Sequence, residues 1–565
     1  MKPTIKRITL SKTGPNVVWA LCFTIWLGQT PAASANTAIS PNAPGVSFYA
    51  GIGESCCGED PHPVHGIGAP DGSFIVGGKA LDPQGTSEGF VVKVNPKGLS
   101  GNLVLAPGES ASYAWAKTFG TAGKNDAINN LAASKSALFA AGFKTGPDGT
   151  LDRSLAKLDL KTGAVIWEAT FPDPQSGTEG AFEAIQLTSE GGLITTGLIN
   201  GQKGSAEGFK SYGNPWSGQA FVAYFSPEQL ASSAGPSSPQ WLQPLKGAVS
   251  GKGVREIKGA QPGYVVAAAG EEMPPTVFRL DSEGGVLWSK TFPNHGELTD
   301  VAVLLNDSKL EGFAITGHRT NQGGIDGSVT KIAPNGDVLW HQTVGNPVGG
   351  VGSFSGLGAG NPKLIFDECW GVQGTGDGGI LLGCGTGIEG CGGLSGSLKE
   401  ECTSDPRQIW RGLVVRLDGQ GNILWQRADS FLEPGGTPSD VSDSASEYVS
   451  LSPSGHILSV VDQGFGIGVL VLKPDGYPTP GDPGMPEDVV SPEEEQPLEW
   501  DEPSMEEPTE LESGSSQNGE DEASEEDLGF ELGCGASGSS LPLGLAWPIL
   551  AGIVAWMWIR RRSHA

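Results

Sequence analysis

Apolar and polar positions alternate in short runs along residues 276–344, and the runs come in pairs. The segment from Thr276 reads TVFRLDSEGGVLWSKTF, and the segment from Ser328 reads SVTKIAPNGDVLWHQTV. In each, an alternating run (Val277 and Leu280; Val329 and Ile332) enters a turn of Asp, Gly, Asn and Ser and leaves through Val-Leu-Trp, the pattern of a β-hairpin. Between the two hairpins lie apolar runs at 300–305 and 313–317, parted by the turn-forming Asn306-Asp307-Ser308. The unit is therefore four strands in about fifty residues.

Two of its strands recur seven times along the chain. One ends in a small residue or Gly and recurs at 74–77, 138–142, 193–197, 264–270, 313–317, 380–383 and 457–461. The next begins at Gly89, Ser154, Ala220, Thr276, Ser328, Gly412 and Gly468. The fourth strand, marked by Trp, appears six times, at Trp115, Trp167, Trp241, Trp288, Trp340 and Trp425, and is missing after Lys473. Repeated units of this length and content point to an all-β fold, a β-propeller. An open ring would leave an unpaired edge, so the spare N-terminal run at 46–51 (VSFYAG) is expected to pair beside 468–473 as the missing strand. The expectation is seven four-stranded blades over residues 44–476, monomeric, with each Trp packed between adjacent blades.

The flanking segments have other compositions. Lys2, Lys6, Arg7 and Lys12 precede an apolar run at 17–27 and then Ala33-Ser34-Ala35, which reads as a secretory signal peptide over 1–35 cleaved after Ala35. Cys22 follows Leu21 inside the apolar run, where a lipoprotein signal needs a small residue. From 477 to 532 the chain turns to Pro, Glu, Asp, Ser and Gly, with roughly twenty acidic residues between Lys473 and Arg560 and no Lys or Arg, and this accounts for most of the net charge of -29. Such a segment buries too little apolar surface to fold and is expected to be a disordered stalk. Residues 533–565 contain Gly533-Cys534-Gly535, an apolar run at 541–559 long enough for one transmembrane helix, and Arg560-Arg561-Arg562, which would stay on the cytoplasmic side.

Cysteine usage fits export. Cys369 and Cys384 flank the turn at 376–378 and are expected to face each other across a hairpin, with Cys391 and Cys402 closing the next loop, although four cysteines allow other pairings. Cys56 and Cys57 are adjacent, either bridged to each other or open to neighbours. His62 and His65 lie nearby, but without a CxxC spacing they make only a weak metal reading, and no metal is assigned. Long Gly-, Ser- and Pro-rich departures from the repeat at 201–217, 228–239, 345–362 and 385–408 are expected to be loops, the natural place for a binding function.

No catalytic set is assigned. There is no G-x-S-x-G, H-E-x-x-H, P-loop or EF-hand loop, and the seven His residues, among them His318, His341 and His456, read as strand or loop residues scattered over different blades. The acidity argues against nucleic acid.

Three resemblances add to this reading. GFVVKVN, GGVLW and DGGILLGCG resemble the repeats of bacterial surface β-propeller proteins, which implies a fold and not an activity. The ordered set of stalk, Cys534, span and Arg cluster resembles the C-terminal sorting tail of myxobacterial surface proteins. That likeness implies a membrane-anchored precursor, an envelope protease acting near the Cys, and delivery to the outer surface of a Gram-negative cell. The turn from Asp159 to Trp167 resembles the tryptophan-docking motif of quinoprotein propellers, whose dehydrogenase members hold a quinone over a vicinal disulfide beside calcium. The expected function is a non-enzymatic, surface-displayed propeller that takes a protein, glycan or matrix ligand without a cofactor. A secreted quinoprotein-like oxidoreductase is the alternative.

Overall fold

The computed structural model describes residues 38–476 apart from 53–55, 95–100, 103–112, 207–216, 271–272, 307, 322–323, 346–363, 389–390, 392–394, 405–409, 430, 433–440, 443 and 464–465. The signal, stalk and tail expected at 1–35, 477–532 and 533–565 lie outside the described residues. Among the described residues no helix is long and apolar enough to cross a membrane.

The hairpin pairs of the sequence become four-stranded antiparallel arrays in chain order. The first runs Glu59–Gly68, Phe74–Leu81, Ser87–Val94 and Tyr113–Phe119. The arrays at 127–171, 179–244, 250–291, 297–344 and 366–429 repeat that order. A single parallel pairing, Ile325 with Phe366, links two of them into one continuous sheet. The last array takes Ser444–Leu451, Ile457–Gln463 and Gly466–Leu472 from the C-terminal side and is completed by Val46–Ile52 from the N-terminal side. Tyr49 pairs with Leu470 and Gly51 with Gly468, so the strand expected to cover the last edge is there.

The first strand of each array contacts the first strand of the next, and Ser444–Leu451 returns to contact Glu59–Gly68, closing the cycle. The core is divided to match, with one apolar cluster at each junction. Ile75, Val91 and Trp115 pack with Leu131, Leu138 and Ala156 at one of them. At the closing junction Phe48, Val469 and Leu458 pack with Phe74, Val76 and Val92. Strands buried on both faces explain the near-continuous Val, Ile, Leu and Ala runs of the sequence.

The Trp strand contributes to six of the seven junctions. Trp115, Trp167, Trp241, Trp288 and Trp340 lie against Gly163, Gly235, Gly284, Gly336 and Gly421 of the following array. Trp425 instead donates its indole N–H to Asp475 at 3.4 Å, just beyond the last strand. Contacts of this kind therefore recur around the cycle, although the sequence motif is complete only at 159–167.

All three cysteine pairs are disulfides: Cys369–Cys384, Cys391–Cys402, and the vicinal Cys56–Cys57 bridged to itself. Cys369 and Cys384 are directly opposite in register on the first two strands of their array. Two of the expected loops need correction. The 385–408 segment begins as strand through Gly387 and contains the helix Gly396–Ser404, because Leu-Lys-Glu-Glu favours helix and Cys402 anchors it through the disulfide. The 228–239 segment carries the short helix Pro227–Ala231, opened by a capping box between Ser226 and Gln229.

Candidate functional site

The glycines of the second strands lie inside those strands and face a bulge in the strand beside them. A Cβ on Gly142 or Gly317 would come within 2.0 Å of the Ala127 carbonyl or 1.8 Å of the Glu297 carbonyl, so the second strand must be bare where the first presses on it. The pairing of the first strand with the second skips a residue in every array: Val64, Asn129, Glu183, Lys252, Thr299, Trp370 and Glu447. A bulge re-aims its extra side chain out of the alternation of the strand. All of these side chains are buried.

The bulges sit at one level of the cycle, as cross-array hydrogen bonds show. Asn129 Nδ2 donates to the Phe182 carbonyl at 3.0 Å, and Thr299 Oγ1 donates to the Cys369 carbonyl at 2.8 Å. Each acceptor immediately precedes the next array's bulge residue. Lys252 is fully buried at its bulge, and its ammonium makes no hydrogen bond among the described residues. Glu183, also fully buried, occupies the same position in the preceding array.

One turn further along, an ion pair spans the middle of the cycle. Arg255 Nη2 donates to both Asp300 carboxylate oxygens at 3.1 and 3.0 Å and to the Tyr448 hydroxyl at 2.9 Å, while the Val372 amide donates to Asp300 at 3.3 Å. These four residues come from four different first strands. Burial, the largest influence, pushes the Tyr448 phenol up, so it stays protonated. The centre is thus filled and crossed by side chains.

His62 and His65, three positions apart and read together as a weak metal pair, are separated by the bulge between Pro63 and His65. His65 lies 3.9 Å, centroid to centroid, from the Tyr448 ring and accepts from the Leu131 amide at 3.3 Å. His62 turns to the last array, where its Nδ1 lies 2.9 Å from Asp462 Oδ2. Glu447, the bulge residue of that array, completes a group whose ligand atoms all lie within 4.8 Å of one another. Burial first, then the charges of Asp462 and Glu368, push the Glu447 carboxyl well above its ordinary range. Glu447 and Asp462 went unrecognised in the sequence, since nothing local ties them to a residue nearly four hundred positions away.

The histidines expected to be scattered also prove partly gathered. Strand pairing within the 297–344 array brings His295, His318 and His341 together. His295 meets Ser328 at 3.0 Å and Thr330 at 2.8 Å, and Thr330 also meets His341 at 2.8 Å. Burial, aided by His341, His318 and Arg319, holds the His295 pKa down to about 3. His318 faces Glu297 at 3.4 Å. Both ring nitrogens of His295 are engaged by hydroxyls, and the network reads as structural.

The surface of the cycle has two unlike ends. First strands start, second strands end, third strands start and fourth strands end at one of them. The connections that leave that end include 202–218, 345–365, 388–409 and 430–443, whereas the other end is made of short turns apart from 95–112 and 226–240. Cys56–Cys57, His62 and Asp462 belong to the end with the long connections. There Ile388 and Cys402 of the 388–409 insertion form a small core with Leu364 and Ile365 of the preceding connection.

No protein-family model matches the chain, and no curated protein matches it. Among solved structures it is similar to Sqt1 from Chaetomium thermophilum, at 12% identity and a TM-score of 0.38 over 76% of this chain and 98% of that one. It is similar to the quinohemoprotein alcohol dehydrogenase ADHIIG from Pseudomonas putida HK5, at 11% identity and a TM-score of 0.37 over 79% and 78%. A third is the Pan2 WD40 domain of Neurospora crassa, at 9% identity and a TM-score of 0.29 over 63% and 94%. Likenesses this distant carry no argument about function.

Proposed function

We propose that this chain is a seven-bladed propeller that works as a non-enzymatic binding module, exported and displayed at the cell surface. The observation that supports binding is the convergence of the long insertions on one end of the cycle, around a rigid and filled centre. An insertion stapled by its own disulfide is preorganised, and preorganised loops on a stiff scaffold lose little entropy when they engage a partner. Display at the surface rests on the signal at 1–35 and the tail around Cys534, with the acidic stalk between ring and membrane. The ligand class is a surface protein, a glycan or a matrix polymer.

A glycan and surface-protein array probed with the exported chain tests this reading. The intact chain should give discrete ligands, and replacing 388–409 by a short Gly-Ser turn should abolish that binding without lowering the thermal midpoint of the ring. Unchanged binding after the replacement would remove the insertion face from the account.

The vicinal Cys56–Cys57 disulfide favours a second reading, a quinoprotein-like oxidoreductase. That reading predicts a quinone absorption band and dye reduction after incubation with quinone and calcium. The binding reading predicts neither.

A further inference from the structure

We propose that His62, Glu447 and Asp462 form a binding site for a first-row divalent transition ion, with zinc the best match, which ties together the two arrays that meet where the cycle closes. Three observations converge on it. The donor atoms of the three side chains lie within 4.8 Å of one another, and a metal that draws ligand atoms to about 2.0–2.2 Å needs only a small contraction of such a group. Glu447 is 4% exposed and lies beside the carboxylates of Asp462 and Glu368, a buried gathering of like charges that a cation would relieve. The residues also reach the group from separate supports: His62 from the first strand of the first array, Glu447 from a bulge, and Asp462 from near the end of Ile457–Gln463.

The donor set selects the ion. One imidazole and two carboxylates supply two negative charges for a divalent cation, with the third carboxylate of Glu368 close enough to Glu447 to add to the field. An imidazole suits zinc and its neighbours, whereas calcium and magnesium prefer shells made of oxygen alone. Three protein ligands leave a fourth position for water or for a donor from outside the chain. The hydrogen bond between His62 and Asp462 already holds two ligands side by side, so the ion would replace that contact and recruit Glu447.

The position gives the ion a task. His62 belongs to the strand that follows Cys56–Cys57, while Glu447 and Asp462 belong to the array that Val46–Ile52 completes. A bound ion therefore adds a cross-link at the closing junction, where the array that Val46–Ile52 completes meets the first array. Because it binds the closed ring and not the open chain, it should raise stability by mass action.

The test is titration of the full chain, stripped with a chelator, with zinc, manganese, calcium and magnesium chlorides in turn. Calorimetry and metal analysis should find one tightly held zinc per chain, with calcium and magnesium weaker by more than about a hundredfold. Zinc should also raise the thermal midpoint. Glu447→Gln and Asp462→Asn should each weaken zinc by roughly a hundredfold or more, beyond the loss seen when an outer-shell partner is removed. His456→Gln, on a remote turn, should leave binding unchanged and so identify any adventitious histidine site. Cobalt in place of zinc should give a visible spectrum without a thiolate charge-transfer band. Zinc binding that persists in both carboxylate variants, or the absence of tight zinc binding to the stripped wild-type chain, overturns the proposal; if one variant fails to fold, the other decides.

Discussion

The indole of Trp340 rests on Gly421 of the next array: the glycine has φ +88°, a Cβ there would come within 2.9 Å of the ring, and the indole N–H donates to the Gly419 carbonyl at 3.1 Å. Bare backbone is needed twice over at this turn, for the left-handed conformation and for the stacked ring. Gly421→Ala should therefore cost about 1–2 kcal/mol from backbone strain alone, before any displacement of the indole. Denaturant unfolding of the variant gives the value. A neutral substitution would mean that the Trp and the turn are not packed as described.

The bridge across the centre makes a graded prediction. Tyr448→Phe removes one hydrogen bond from Arg255 and should cost about 1–2 kcal/mol, because Asp300 still balances the charge. Asp300→Ala leaves the guanidinium without its carboxylate and should cost about 3–5 kcal/mol. The ratio of the two losses in equilibrium unfolding is the check, and equal losses would show that Arg255 is better hydrated than its surroundings imply.

Acid should weaken the protein through His295. Its folded pKa, about 3, is below its unfolded value, so the contribution is complete above about pH 6.5 and is lost as the pH falls toward 3, where the unfolded chain takes up a proton that the folded chain refuses. Between pH 7 and pH 5 that loss is about 2 kcal/mol. His341, His318 and Arg319 face the ring and oppose its protonation from neighbouring strands, and His341 is itself held down by burial and by Arg319. His295→Gln should lose correspondingly less stability over the same interval. Parallel pH profiles for the two proteins would remove His295 from the explanation.

The disulfide between Cys369 and Cys384 closes a separation of 15 residues between buried side chains. Replacing both by Ala should cost about 3 kcal/mol, most of it through the freer unfolded chain. Mild reduction of Cys391–Cys402, in contrast, should loosen the 388–409 insertion while leaving the thermal midpoint of the ring nearly unchanged, because that bridge belongs to a separate small core. Peptide mapping alongside calorimetry reads both effects.

What could be read from the sequence was what is written locally and repeatedly. Alternation with Gly-, Asn- and Asp-rich turns marks every hairpin, the Trp strand marks every junction but the closing one, and its absence there pointed to Val46–Ile52 as the closing element. Cys369 and Cys384 were readable because a hairpin places its flanks opposite each other. Interactions across the centre left no such trace. Arg255 finds Tyr448 across 193 positions and His62 finds Asp462 across 400, and no periodicity connects residues on strands of different arrays. The bulge residues were hidden for a related reason, because skipping one residue in a strand leaves the apolar pattern on either side intact. The gathering of His295, His318 and His341 followed from pairing register, which the turn signals define only approximately. The helix at Gly396–Ser404 was obscured by the Gly-rich sequence around it.

The rigid centre, the insertion face and the proposed ion site all depend on one structural claim: the ring is closed, with Val46–Ile52 serving as the last strand of the final array. Amide hydrogen exchange on the intact chain measures this directly. The amides of Phe48 to Gly51 should be protected to the same degree as those of Ile457–Gln463, in the same array, and the two sets should exchange together as one cooperative unit. Exchange at loop-like rates over 46–52, with 457–463 still protected, would contradict the account.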